Sequence, residues 1–277
     1  MEQRADLHVH THHSDGSLSP ADLVERARNA GLDAISITDH DNINGVSEAL
    51  TAGERHNVEI VSGVELSAHV DGREVHVLGY FIDTSNPTLG DFLDFLRKER
   101  VRRAERMVEK LGALNIHLSM EKILEIAGFA SVGRPHIANA IVDAGYNVSY
   151  QEVFSKYIGF GCPAYVEKVH CSPEETLSMI NESGGLSFLA HPGTMLPERM
   201  VLQLIKAGLD GIETVHPSHS FETTMYYRGI VHQYYLLESG GSDFHGGRRN
   251  DYAALGNVTI PLSVVETMRR RLIVQDK

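Results

Sequence analysis

Short runs of β-branched and aliphatic residues alternate with stretches of helical period over most of the chain. This alternation predicts βα units and a parallel sheet. The first strand covers residues 6–10. Ser19 then caps a helix with Pro20 at its first position, Leu23, Val24 and Ala27 on its apolar face, and Gly31 at its end. Further strands are predicted at 34–38, 59–64, 75–82, 186–190, 211–215 and around 236–239, which makes seven.

Between residues 87 and 162 the alternation stops, and helical patterns follow one another at 89–111, 120–127, 135–144 and 150–158. Strand signals resume near Ala164, and Ser172-Pro173 opens a capped helix that closes at Gly184-Gly185. The expected organisation is an α/β barrel in two parts, 1–86 and 163–277, around a small all-helical insertion at 87–162.

Composition narrows the class. A chain of 277 residues can bury its own core. Cys162 and Cys171 form no CxxC pair, no basic-then-apolar leader opens the chain, and no apolar run reaches the length of a membrane span. A cytoplasmic protein with no membrane role and no obligate protein partner is expected. The formal charge of −12 argues against indiscriminate binding to polyanions. The 16 histidines point toward metal, a hint that only their positions can strengthen.

Those positions are informative. His8 and His10 leave the same face of the first strand, and Asp15 follows in the loop. Asp39 and His40 follow the second strand, Glu65 ends the third, and His76 lies on the fourth. His191 ends the fifth, His216 follows the sixth, and Asp243 and His245 follow the seventh. In barrels of parallel strands the site forms at the C-terminal strand ends. One such histidine alone is most simply a core or surface residue. Independent core histidines have no reason to recur at strand ends, whereas several divalent cations need ligands from many strands.

The segments His8-Val9-His10-Thr11-His12-His13-Ser14-Asp15-Gly16, Ile37-Thr38-Asp39-His40-Asp41, Gly63-Val64-Glu65, Ala190-His191-Pro192-Gly193 and Gly241-Ser242-Asp243-Phe244-His245 closely resemble the motifs of the polymerase and histidinol phosphatase (PHP) family. Within it they are most similar to stand-alone bacterial phosphoesterases acting on nucleoside 3′,5′-bisphosphates and short RNA 5′ ends. The resemblance implies a distorted seven-stranded barrel and three divalent ions. His8, His10, Glu65 and Asp243 would hold one ion; Glu65, His76 and His191 a second; Asp15, His40 and His245 the third. Glu65, His191, Asp243 and His245 are the expected catalytic centre. His12 and His13 fall at variable positions, and Asp39 is expected to orient His40. The mixed ligands leave the metal open, with manganese first and iron, zinc or magnesium as alternatives.

The basic run Arg97-Lys98-Glu99-Arg100-Val101-Arg102-Arg103 is most simply a solvated helix face, but an insertion between barrel strands can close as a lid. Arg100 and Arg103 share a face, Arg134 precedes a helix, and forked guanidinium donors suit phosphate. Arg100, Arg103, Arg134, Lys168 and His219 are the expected substrate contacts. The loop His216-Pro217-Ser218-His219 departs from the bisphosphatases.

The expected activity is phosphate-ester hydrolysis by a hydroxide bridging two ions. The expected substrate is a nucleoside bisphosphate or a short single-stranded oligonucleotide. Histidinol-phosphate or cyclic-phosphate hydrolysis is the alternative, and a non-catalytic nucleic-acid or polymerase-associated module is the alternative of another class.

Overall fold

The computed structural model describes residues 3–169, 171–194, 196–247 and 251–275. The chain divides into two compact units, Met1–Gly90 with His170–Lys277, and Asp91–Val169.

The first unit is built on one eight-stranded sheet. Its strands are β1 (Arg4–Val9), β2 (Ala34–Ile37), β3 (Glu59–Val70), β4 (Arg73–Tyr80), β5 (Leu186–Leu189), β6 (Gly211–Val215), β7 (Leu237–Gly240) and β8 (Ile260–Pro261). The spatial order is β7-β6-β5-β4-β3-β2-β1-β8. The sheet nearly closes on itself where Val9 bridges Phe244 and the His10 N–H donates to the Phe244 carbonyl at 2.9 Å. Gly241 allows this approach, since a Cβ there would meet the His8 backbone nitrogen at 2.5 Å.

Two strand expectations are corrected. The eighth strand, two residues long and antiparallel to β1, is too short to carry a period. The sheet is also not all parallel, because β4 runs antiparallel to both β3 and β5. The cause is local. Asp71 (φ 47°) and Gly72 (φ 75°) both occupy the left-handed region, the requirement of a two-residue type I′ hairpin. The strand β3 therefore continues to Val70, which places Glu65 within the strand and not at its end.

On β1 the alternation is strict: Leu7 and Val9 face packed helices while Asp6, His8 and His10 turn inward. The helices Pro20–Asn29 and Asn44–His56 cover β1 and β2 through Leu23, Val24, Ala27, Val46 and Ala49, all fully buried. Ser19 caps the first of them by accepting from the Asp22 N–H. Ser172 caps the helix Pro173–Glu182 in a capping box with Glu175.

Helices account for the regular structure of the second unit: the remainder of Pro87–Gly112, then Met120–Ala127, Arg134–Asp143 and Tyr150–Val153, the last running into a π-helical turn at Phe154–Ile158. They share a core that includes Met107, Leu111, Ile123, Ile137, Ile141 and Val153. The expected strand near Ala164 is absent. Ala164 is buried in that helical core, and residues 165–169 have no regular structure.

Candidate metal centre

Glu65 sits on the inner face of β3 with 1% of its surface exposed. Five imidazoles converge on its two oxygens. His8 Nε2, His10 Nε2 and His40 Nδ1 lie 3.4, 3.3 and 3.1 Å from Oε2. His76 Nδ1 and His191 Nε2 lie 2.7 and 3.0 Å from Oε1. Asp243 Oδ1 stands 3.1 Å from His10 Nε2 and 3.4 Å from His8 Nε2. Asp15 Oδ1 stands 3.2 Å from His245 Nε2. All nine expected ligands are thus gathered at one end of the sheet.

Sheet geometry explains the gathering. His40, His191, Asp243 and His245 follow parallel strands. His76 arrives by another route: because β4 is reversed, its N-terminal half lies at this end, with His76 opposite Ser67 and its carbonyl accepting from the Ala190 N–H at 3.0 Å. His191 (φ 27°) and Asp243 (φ 49°) occupy left-handed backbone, uncommon for residues with a side chain.

The donor set fits divalent cations. His8 Nε2 and His10 Nε2 face each other at 3.1 Å. Buried His40 Nδ1 lies against Glu65 Oε2 and buried His76 Nδ1 against Glu65 Oε1, and neither nitrogen makes a hydrogen bond of proper geometry. Lone pairs crowded in this way need positive charge between them. Four overlapping groups, each with its ligand atoms within 4.8 Å of one another, supply it a place: His10, Asp15, His40 and His245; His8, His10 and Asp243; His8, Glu65 and His191; His40, Glu65 and His76. A more exposed trio, His12, His13 and Glu48, satisfies the same distance.

Electrostatics agree with a ligand role. Burial opposes the charge on Glu65, but His40, His76 and His8 outweigh it and hold the carboxyl well below its usual range. Asp243 is likewise held low, against burial, by His8, His10 and His216. Burial pushes His40 well below the usual imidazole value, against the opposing charges of Glu65 and Asp15. Burial also opposes charge on His8 and His76, yet Glu213, Glu65 and Asp243 raise the first, and Glu65 and Glu74 raise the second to about 9.

Several supporting groups were not foreseen. Glu213, fully buried on β6, stands 2.9 Å from His8 Nδ1 and accepts the His191 N–H at 2.6 Å. A carboxylate inside the apolar run Gly-Ile-Glu-Thr-Val was the signal for it. Glu74 lies 3.1 Å from His76 Nε2, and Asp251 accepts the His245 N–H. Asp39 was expected to orient His40. Its carboxylate instead accepts from Thr11 N–H at 2.8 Å, Thr11 hydroxyl at 2.6 Å and Ser14 hydroxyl at 2.5 Å, and so ties down the loop that carries Asp15.

The expected substrate contacts separate. Both ring nitrogens of His219 are bonded to backbone, Nδ1–H to the Thr214 carbonyl at 3.0 Å and Nε2 from the Gly193 N–H at 3.1 Å. Its ring stacks on Tyr227, whose hydroxyl donates to the Gly193 carbonyl at 2.7 Å. His219 is therefore a clamp on the His191 loop and offers no nitrogen to a substrate.

The arginines lie in the helical unit. Arg103 is buried, with Nε donating to the Val166 carbonyl at 2.7 Å, and its guanidinium and that of Arg134 lie 5.8 and 5.9 Å from the Tyr165 ring centre. Arg100 reaches toward the Val132 carbonyl at 3.5 Å. Lys168 is half-buried beyond the last helical segment of that unit.

Residues 6–158 match the PHP domain. The chain is 34% identical over 253 residues to the 3′,5′-nucleoside bisphosphate phosphatase of Chromobacterium violaceum, covering 88% of this chain and 89% of that one. It is 32% identical to the 5′-3′ exoribonuclease Rnm of Escherichia coli, covering 87% and 84%. It is 30% identical to the phosphoribosyl 1,2-cyclic phosphate 1,2-diphosphodiesterase of Eggerthella lenta, covering 87% and 94%. A solved structure from Bifidobacterium adolescentis, described as a metal-dependent phosphoesterase, superposes with a TM-score of 0.89 at 30% identity over 97% of this chain and 96% of that one. The chain belongs to the PHP domain family of metal-dependent phosphoesterases.

Proposed function

We propose that the chain removes a phosphate from nucleoside 3′,5′-bisphosphates, or from the 5′ ends of short oligonucleotides, with three divalent ions, manganese first among them, at the Glu65 centre. The observation that carries this reading is the pair of Glu65 oxygens with three imidazole nitrogens at one and two at the other. A carboxylate so placed suits a bridge between cations. Ions held there would neutralise phosphoryl charge and lower the pKa of water from about 15.7 toward 7.

The protein's own residues do the rest. His8, His10, Glu65 and Asp243 would hold one ion, Glu65, His76 and His191 another, and Asp15, His40 and His245 the third. Glu213 keeps His8 and the His191 backbone in place. In this reading residues 87–162 act as a lid and specificity element in which Arg100, Arg103 and Arg134, with Lys168, grip the substrate's second phosphate. The shared position of Arg103 and Arg134 beside Tyr165 supports that role. His219 is left out of the substrate set. Hydrolysis of a cyclic phosphodiester is the second reading, favoured by the similarity to the Eggerthella lenta diesterase.

The test is metal analysis of the purified protein with a phosphate-release screen. Nucleoside bisphosphates, histidinol phosphate, cyclic phosphates and 5′-phosphorylated oligonucleotides are the panel. Turnover of a bisphosphate well above the others is the expected result. Preference for histidinol phosphate or a cyclic phosphate overturns the substrate assignment, and no manganese-dependent turnover at all overturns the catalytic one.

A further inference from the structure

Two histidines of the loop after β6 stand five and a half ångströms apart, ring centre to ring centre at 5.5 Å, and take opposite roles. His219 is consumed by backbone, as described above. His216 belongs to the cavity lined by His40, Glu65, His76, His191, Ser218 and Asp243. Its side chain is 9% exposed, and its Nε2 is buried without a hydrogen bond, 3.7 Å from Asp243 Oδ2.

The other ring nitrogen settles what Nε2 can do. The Ser218 backbone N–H donates to His216 Nδ1 at 3.1 Å, and the Ser218 hydroxyl lies 2.8 Å from the same atom. A nitrogen that accepts a backbone N–H carries no proton of its own, so the neutral ring must carry its proton on Nε2. His8 is arranged the other way, with its Nδ1 against the Glu213 carboxylate and its Nε2 toward the ligand cluster. A metal-binding imidazole needs its lone pair at the ligating nitrogen and its proton on the other. For His216 that tautomer would set Nδ1–H against the Ser218 N–H, donor against donor.

We propose that His216 is a phosphate-contacting residue of this site, its Nε2–H donating a hydrogen bond to an anionic oxygen of the phosphoryl group under attack. The assignment rests on the phosphoesterase activity and not on the choice among phosphorylated substrates. The donor is held in place by Ser218 before substrate arrives, so it meets developing phosphoryl charge without reorganisation. Asp243 Oδ2 at 3.7 Å is close enough to keep the N–H aimed into the cavity and too far to satisfy it. Asp243 thereby links a cation ligand to a substrate contact.

The experiment uses the full metal-loaded chain with inorganic phosphate as probe. Phosphate affinity is measured by calorimetry and metal content by elemental analysis, for the wild type, His216→Ala and His216→Gln. His216→Ala is expected to weaken phosphate about tenfold or more, the scale of a hydrogen bond to a charged group, with metal content unchanged. His216→Gln, whose amide also donates, is expected to recover most of that loss and guards against misfolding of the alanine variant. Phosphate affinity within twofold of wild type in both variants overturns the proposal. So does loss of an equivalent of metal from either, which would make His216 a ligand. A wild type that binds phosphate through His216 but prefers a panel ester other than a nucleoside bisphosphate overturns the substrate reading alone.

Discussion

Glu213 Oε1 lies 2.9 Å from His8 Nδ1, a contact in which both side chains are completely buried. Together with the His191 N–H on its other oxygen, it ties two candidate ligands from different strands to β6. Its loss should loosen both. Glu213→Gln is expected to weaken metal binding by about ten- to a hundredfold, and Glu213→Ala by at least as much. Competition with a chelator measures this, and an unchanged metal affinity would separate Glu213 from the centre.

Asp243 joins His8, His10 and His216 within 3.7 Å. Asp243→Asn keeps the shape and removes the charge. Metal and turnover should fall together, turnover on the order of a hundredfold or more. An asparagine variant with full activity would refute the ligand role.

Metal uptake should release protons. In the metal-free protein His76 holds its proton up to about pH 9, because Glu65 and Glu74 outweigh the opposing effect of burial, and His8 is raised for similar reasons. A cation takes the lone pair that this proton occupies, so affinity should rise as pH climbs from 7 through 9. For the metal-free fold the sign is opposite. The raised folded pKa stabilises fully below the ordinary imidazole range, and that contribution is lost as pH rises through about 9. Calorimetry at pH 7.5 in buffers of different protonation enthalpy reads the released protons; heats independent of buffer would contradict the assignment.

Asp6 lies on the inner face of β1, two residues before His8, and is fully buried. Burial lifts its carboxyl to about 7 despite hydrogen bonds from the Ser242 and His8 N–H groups. Between about pH 4 and 7 the folded chain keeps a proton that the unfolded chain releases, so this residue's contribution to stability declines as pH rises. Asp6→Asn preserves an acceptor oxygen for both N–H groups. In chelated protein it should raise Tm by roughly 5 °C at pH 8 and change it little at pH 4. A gain of equal size at both pH values would mean the charge is not the cause.

The candidate ligands were legible because strand-end placement is a local property. His40, His191, Asp243 and His245 each follow a short predicted strand. His76 was found on the fourth strand, but the direction of that strand was not. The Asp71-Gly72 pair carries the hairpin signal, and the expectation of repeating βα units overrode it.

Glu213 and Asp39 show a different kind of gap. Each is a carboxylate whose role depends on which backbone or ring nitrogen lies across the barrel, at a sequence distance of 22 residues or more. Periodicity cannot rank such partners. The same holds for Arg103, whose place on a basic helix face suggested exposure, while its guanidinium is buried beside Tyr165 and Val166.

Residue type and spacing along the chain were enough to specify the strands that bear the candidate centre, the Ser19 and Ser172 helix caps and the kinds of atom offered to a cation. These depend on neighbours a few positions away. Tautomers and partners came from the fold. His216 and His219 are three residues apart and chemically identical, yet one keeps its Nε2–H for the cavity and the other spends both nitrogens on backbone. The difference lies in whether Ser218, Thr214 or Gly193 meets each ring, and the pairing of β5 with β6 is what brings Gly193 to His219.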